Sequence, residues 1–406
     1  MSDQTKAGLN ETFKYVEETK LKHLVPNSSI LQRMFPMKEN DMLGRQALLP
    51  VVLSNELGIT FGDDTSFSYN TAVAAEYDEI EIDSSPVILR SRVNLKAMNR
   101  MKNNKKAREN QITLRAGTMK KSLEKIAEIT CIHGGSGIGT ISGVSDSSGT
   151  NVLTISAATW APGVWSGMIG LRLDAVDSIG GTVQNSNATL VVSAVDYANK
   201  TVTVTGNATD TAALAINDIL VLRGADGVEQ TGLIAQLDNA GTLFGIDANA
   251  YDMWKASEFS VSGALTFAKI MEGVSLAVAK GGLDEDAVFF VSPKNFESMN
   301  SDQAAAREYD SSYKKESENG FSSIKFRGQS GIVEVVAHPF FKDGEAALLP
   351  KSCVRRIGAT DVEFINDGGD YFRAVDGAGA YECVGQFDFQ IVITEPAKCV
   401  LYKAIS

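Results

Sequence analysis

Histidine and cysteine are scarce, three and four residues respectively in a chain of 406. Cys131, Cys353, Cys383 and Cys399 lie far apart and form no paired motif, so reduced, buried thiols are expected rather than a disulfide framework. Cys131 and His133 have no third or fourth ligand nearby, which leaves no metal site to propose. With only His23, His133 and His338 available and no G-x-S-x-G elbow around Ser136 or Ser330, no catalytic set assembles from the sequence. A non-enzyme without cofactor is the reading. Long apolar runs are missing too. The opening MSDQTKAGLNETFKYVEETK has no signal-like apolar core and no later stretch approaches a membrane span, so a soluble product made inside the cell, with no membrane partner, is expected. The formal charge of −12 excludes a protein that coats nucleic acid over its whole surface, because that affinity comes from Lys and Arg on phosphates. A local basic face stays open.

The most informative absence is local. Leu53 to Ile88 contains no Lys or Arg but eight acids, Glu56, Asp63, Asp64, Glu76, Asp78, Glu79, Glu81 and Asp83. Leu89 to Arg108 contains no acid but eight bases, among them Arg90, Arg92, Lys96 and Arg100. The acidic block also alternates. Phe67, Tyr69 and Val73 share one face of SFSYNTAV, and Ile80 and Ile82 oppose Glu79, Glu81 and Asp83 in YDEIEID. That period of two predicts two half-buried strands in a long hairpin-like loop. Two strands alone are marginal in water, so the apolar face needs another surface. The acids could hold Ca²⁺, but alternate positions on a strand read as a solvated face, and the adjacent basic block is their more economical partner. Nucleic acid is the other candidate partner for that basic block, weakened by its lack of stacking aromatics.

From about Gln111 to Ile132 the period becomes helical, with Ile112, Ala116, Met119, Leu123, Ile126, Ala127 and Thr130 on one stripe and Lys120, Lys121, Glu124, Lys125 and Glu128 on the rest. CIHGGSGIGTISG follows. A dinucleotide loop needs strand before and helix after, and a P-loop needs Gly-Lys-Ser/Thr; here the glycines come after a helix, so they read as its terminator.

Residues 141–230 are rich in Thr, Val, Gly, Ala and Asn and predict a compact β-barrel or sandwich, with Trp160 and Trp165 in its core. NVLTISAAT then SGMIGLRLDAV is echoed by KTVTVTGNAT then INDILVLRGADG, which suggests an internal duplication. The remainder reads as α/β: a helix over Phe267–Val278 ending at Gly281 and Gly282, a buried strand AVFFV, and a helix capped by Ser292 with Pro293 at its first position. Strands GIVEVVAHP and EAALLPKSC follow, separated from that helix by a polar stretch, 301–320, expected to be mobile. TDVEFINDGGDYFRAVD reads as a hairpin turning at Asn366–Asp370, and the end as two strands broken near Pro396.

This order of parts resembles the major capsid proteins of tailed bacteriophages, an α+β Hong Kong 97-like capsid fold with N-arm, extended loop, spine helix, and peripheral and axial domains. GLIAQLDNAGTLFGIDANAYDMW, LTFAKIMEGVSLAVAKGG and SPKNFESM also look familiar from it. The resemblance implies an N-terminal arm at 1–52, the extended loop at 53–93 and the peripheral domain with its spine helix at 94–140. It further implies an inserted all-β domain at 141–230, the axial domain at 231–353 and returning strands at 354–406. It implies a subunit that forms pentamers and hexamers of an icosahedral shell around double-stranded DNA, assembled in the host bacterial cytoplasm and carried in the virion. Portal and scaffolding proteins are implied partners and a decoration protein is an open one. DNA contact would be non-specific. Family members that weld subunits by Lys–Asn bonds carry the lysine on the extended loop; here that loop has none from Leu53 to Ile88, so a non-covalent shell is expected. Contact between copies is assigned to Asp63, Asp64, Phe67, Tyr69, Glu79, Ile80, Glu81 and Ile82 of one subunit and Arg90, Arg92, Lys96 and Arg100 of the next. An encapsulin-like compartment with protein cargo and a surface adhesin or glycan-binding β module are the alternatives, and a nucleotide-dependent enzyme built on the glycines is a third.

Overall fold

The computed structural model describes residues 29–37, 46–62, 68–94, 105–147, 149–185, 189–300, 323–365, 372–375 and 380–406. The stretch 301–320 and the turn at 366–370 lie outside them. The chain divides into two compact units, one of residues 1–29, 86–128 and 359–389, the other of 30–85, 129–358 and 390–406.

In the larger unit, the core is a six-stranded mixed sheet. Its strands are β12 (Ser257–Gly263), β13 (Ala287–Val291), β14 (Ser323–Arg327), β15 (Ile332–Ala337), β16 (Ala346–Pro350) and β20 (Val400–Ile405), in the order β12-β20-β16-β13-β15-β14. β13 and β16 are buried along their whole length, as their unbroken apolar runs require. Helix α2 (Phe267–Gly281) covers one face. Its start is fixed by the Thr266 hydroxyl accepting from Lys269 N, and its end by Gly282 at φ 63°. It approaches β20 closely. Tyr402 Oη donates to Ile270 O at 2.8 Å, and a Cβ on Gly273 would collide with that ring. Helix α3 (Pro293–Asn300) begins where the sequence places it, with Asn295 N donating to the Ser292 hydroxyl at 3.3 Å.

The Thr/Val-rich segment is a closed antiparallel barrel of β4 (Gly139–Ser147), β5 (Thr150–Ile155), β6 (Arg172–Val176), β7 (Leu190–Asp196), β8 (Thr201–Thr205) and β9 (Ile219–Leu222), in the order β4-β5-β8-β7-β6-β9. Exchanging β4, β5 and β6 for β7, β8 and β9 leaves that order of neighbours unchanged. The echoed sequence segments occupy the exchanged positions, so the duplication read from the sequence has a counterpart in topology. Trp160 and Trp165 are buried and stacked, 6.4 Å between ring centroids. Their segment forms the seam to the sheet: Asp343 N donates to Trp160 O, Gly344 N to Ala158 O and Gly163 N to Pro339 O.

Helix α1 (Lys105–His133) is longer than the sequence indicates. Met119, Leu123, Ala127 and Thr130 of the expected stripe are buried, but so are Lys125 and Glu128, which the periodicity assigns to the polar side. The last turns are enclosed all round, and burial pushes the Lys125 ammonium down to about 8. Gly135 and Gly137, both at φ 70°, turn the chain out of the helix. Gly134 lies so close to Gln230, and Gly232 to Gly134, that neither has room for a Cβ. The glycines are a turn and a close backbone crossing where the chain enters and leaves the barrel. At this crossing Gly135 N donates to the Glu229 carboxylate at 2.9 Å, and burial pushes that carboxyl up to about 7.

His133 is also buried here. Its Nε2 lies 2.7 Å from Phe340 O, a group that only accepts, so Nε2 carries the proton and Nδ1 is left as an acceptor. Nδ1 faces Glu345 Oε1 at 3.5 Å. Burial holds the imidazole well below its ordinary pKa and raises that of the Glu345 carboxyl.

A further sheet has β19 (Ala380–Ile393) between β17 (Val354–Phe364) and β18 (Phe372–Ala374), with β3 (Ser85–Asn94) also paired to β19; the smaller unit holds all of it except residues 85, 354–358 and 390–393. The sequence-level hairpin therefore resolves differently: its two arms, β17 and β18, both pair with β19 and not with each other. β19 is the longest strand of the chain's end, and its buried Phe387 and Phe389 make it the natural centre of the sheet. Leu123 of α1 packs where Gly385 of β19 leaves space.

Candidate assembly surface

The acidic strand Glu76–Asp83 (β2) does form, but its partner is β1 (Gln46–Ser54), and not residues 66–73. This corrects the sequence reading, which paired the two alternating stretches of the acidic block with each other. Pro50 sits inside β1, opposite Glu79. A proline is tolerated there because β1 is paired on one edge only among the described residues. Of the stretch SFSYNTAV, residues 68–73 are described and, like 74 and 75, have no regular structure; Asp63, Asp64 and Phe67 lie outside the described residues.

Register decides the fate of each side chain. Ala47 pairs with Ile82 and Leu49 with Ile80 on the inner face, where they join Leu243, Ile246, Trp254, Ile357 and Val392 in one apolar cluster. The hairpin β10 (Thr242–Leu243) and β11 (Ile246–Asp247) supports β2, with Glu81 N donating to Phe244 O at 3.0 Å. Ile80 and Ile82 are fully buried in their own chain. They are therefore removed from the set of residues offered to a neighbour; the reason is that the β10–β11 hairpin and the strands around Ile357 and Val392 supply the apolar surface that the ribbon needs.

The outer face and the far end are different. Leu48, Val52 and Tyr77 point outward beside Glu79 and Glu81, which are exposed. Beyond Ser54 and Glu76 the two legs stay together through Leu57 N to Val73 O (3.2 Å), Asn70 N to Thr60 Oγ1 (2.9 Å) and Asn70 Nδ2 to Ile59 O (2.8 Å). This tip exposes Leu57, Ile59, Phe61 (92%), Tyr69 (84%) and Val73. With Leu48, Val52 and Tyr77, eight of the eighteen large apolar side chains exposed among the described residues fall within thirty positions. A concentration of that kind marks a surface made to be covered.

Of the basic residues, Arg90 and Arg92 on β3 both face Glu382 of β19, at 3.8 and 3.6 Å. The carboxylate they face is thus within their own unit, and among the described residues neither pairs with the acidic block. The Arg115 guanidinium donates to Arg92 O at 2.8 Å and fixes the same strand. Lys96 and Arg100 lie outside the described residues. The four cysteines are free and buried, and burial pushes the Cys353 thiol up to about 11. Among the described residues no group of three or more His, Cys, Asp or Glu is arranged to hold a metal ion, and no helix is long and apolar enough to cross a membrane. Sequence reasoning missed β1 as the arm's second strand. The signal was present in QALLPVVLS, whose alternate residues Ala47, Leu49, Val51 and Leu53 are the ones turned inward.

No protein-family model matches the sequence, and no curated protein matches it. Solved structures do match. A chain of the cyanophage A-1(L) capsid asymmetric unit overlays with a TM-score of 0.52 at 11% identity, covering 95% of each chain. The capsid of an empty GTA particle gives 0.48 at 10% identity, over 100% of this chain and 96% of that one. The SrpI encapsulin of Synechococcus elongatus PCC 7942 gives 0.40 at 9% identity, over 100% and 97%. The chain has a mixed helix-and-strand fold of the kind found in phage capsid proteins.

Proposed function

We propose that this protein is a major capsid protein of Hong Kong 97-like fold, a structural subunit that assembles non-covalently into pentamers and hexamers of an icosahedral shell around double-stranded DNA. The observation that carries this reading is the arm: its base is built into the chain's own core, while its tip displays Leu57, Ile59, Phe61 and Tyr69 to solvent. Each arm would lie on an adjacent copy. Apolar burial at about 25 cal/mol per Å² supplies most of the free energy. Carboxylates such as Glu79 and Glu81 set register, because an exposed ion pair contributes only ~0–1 kcal/mol. Individually weak contacts, repeated many times, allow errors to dissociate before closure. The net charge of −12 suits a lining that does not hold packaged DNA tightly. The barrel is read as an insertion into the shell subunit, and the sheet around β13 as the axial domain. Portal, scaffolding and decoration proteins belong to the same reading, as do assembly in the bacterial cytoplasm and residence in the virion.

The test is electron microscopy of the purified chain, alone and with co-expressed scaffolding protein, beside a variant in which residues 55–75 are replaced by a short Gly-Ser link. Closed particles from the parent and only soluble, folded subunits from the variant are expected. Particles of unchanged yield from the variant would remove the arm's role.

A further inference from the structure

β1, whose second edge is unpaired among the described residues, borders a groove of about 540 Å³. Leu49, Val51 and Leu53 form one wall, and Met253, Trp254 and Ala397 contribute to the other. The groove lies wholly within the larger unit. Its charges are mostly committed: Lys398 pairs with Glu395 at 2.6 Å, and Lys280 beside it with Asp252 at 3.3 Å. Arg355 lines the groove, is exposed, and has no ion pair among the described residues. The site thus offers apolar walls, one unpaired strand edge and one spare guanidinium, which suits an extended, apolar, acidic segment.

The chain itself contains such a segment. Residues 53–88 carry no cation, and the leg 55–62 exposes Leu57, Ile59 and Phe61. At roughly 3.3 Å per residue an extended leg of this length more than spans the β1 wall formed by residues 49–53. It cannot be the groove's own tip, because the hydrogen bonds from Leu57 to Val73 and from Asn70 to Thr60 hold that tip as a continuation of the same ribbon. The occupant must come from another molecule.

We propose that the groove beside β1 receives the arm tip of a second copy of this chain, with Leu57, Ile59 and Phe61 against its apolar walls and the tip's carboxylates toward Arg355. This rests on the assembly reading and names the surface on which the arm lands. The test mixes two variants, Phe61→Cys and Met253→Cys, both at exposed positions and both in a chain whose native thiols are buried. After assembly, a short bis-maleimide should link the two variants into a mixed dimer, absent when either is assembled alone with unmodified chain. Particles that form without the mixed dimer overturn the groove and leave the shell reading standing; failure of the unmodified chain to form particles overturns the shell reading itself. A double variant that cross-links within one isolated subunit places the chain's own tip in the groove and also overturns the proposal. Arg355→Glu should raise the concentration needed for assembly by roughly two- to fivefold, the equivalent of one exposed ion pair, and flatten its salt dependence. An unchanged salt dependence removes Arg355 from the contact.

Discussion

The barrel and the arm are both antiparallel β structure, and they differ in what they leave unfinished. Every barrel strand from β4 to β9 has a neighbour on each side, and Leu153, Leu173, Leu190, Val192, Val202 and Val204 fill its interior. Among the described residues the ribbon β1–β2 has two strands, keeps an open edge on β1 and ends in a tip with a nearly bare phenylalanine. Closure satisfies backbone groups and apolar faces together, so the barrel is complete within the subunit. The ribbon is complete only at its base, where Ile80 and Ile82 are enclosed. The chain thus closes one antiparallel element on itself and leaves the other with an exposed apolar tip.

That contrast can be broken at several points. The largest effect is expected at the arm's base: Ile80→Ala should cost about 2–5 kcal/mol in urea unfolding, as other fully buried large-to-small changes do. A loss below ~1 kcal/mol would mean that the ribbon is not anchored. Next is the seam under the barrel. A Cβ on Gly163 would lie 2.6 Å from Pro339 O and 2.8 Å from Phe340 Cδ1, so Gly163→Ala should cost about 1–3 kcal/mol and loosen barrel from sheet. Proteolysis confined to the barrel's connections in that variant would sharpen the picture; an unchanged melting curve would contradict the seam.

Glu229 gives a pH-dependent effect. Its carboxyl titrates near 7 when folded against an ordinary value of 4.5, so the stability it contributes is full below 4.5 and is lost as pH rises through about 7. Glu229→Gln should therefore raise the melting temperature at pH 8 and converge with the parent near pH 5. A gain that is equal at both pH values would show that ionisation is not the cause. The smallest effect on stability is expected at the tip. Phe61→Ser should change unfolding free energy by less than about 0.5 kcal/mol while reducing particle yield, because the side chain touches little in the isolated subunit.

Much of the fold was legible because it follows local rules. The Phe267–Val278 stripe with its glycine stop, the Ser292–Pro293 helix start and the strands of the central sheet depend on residues within a few positions of one another. The barrel was legible as texture, and its echoing segments proved to occupy exchangeable positions. What failed was pairing at a distance. β2 joins β1 across more than twenty residues, and β17 joins β19 rather than β18, choices made by tertiary neighbours such as Leu243, Ile246 and Gly385 that no local pattern displays. The charge blocks were visible, yet Arg90 and Arg92 face Glu382, nearly three hundred residues away in sequence. Lys125 and Glu128 show the same limit, since the enclosed last turns of α1 hide polar side chains too.

The central claim is that the arm's base is finished within the subunit and its tip only between subunits. Amide hydrogen exchange of isolated subunits and of assembled particles tests it directly. Residues 46–54 and 76–83 should be protected in both, whereas residues 55–62 and 68–75 should exchange rapidly in the subunit and become protected on assembly. A tip protected equally in the isolated subunit, or left unprotected in the particle, would contradict it.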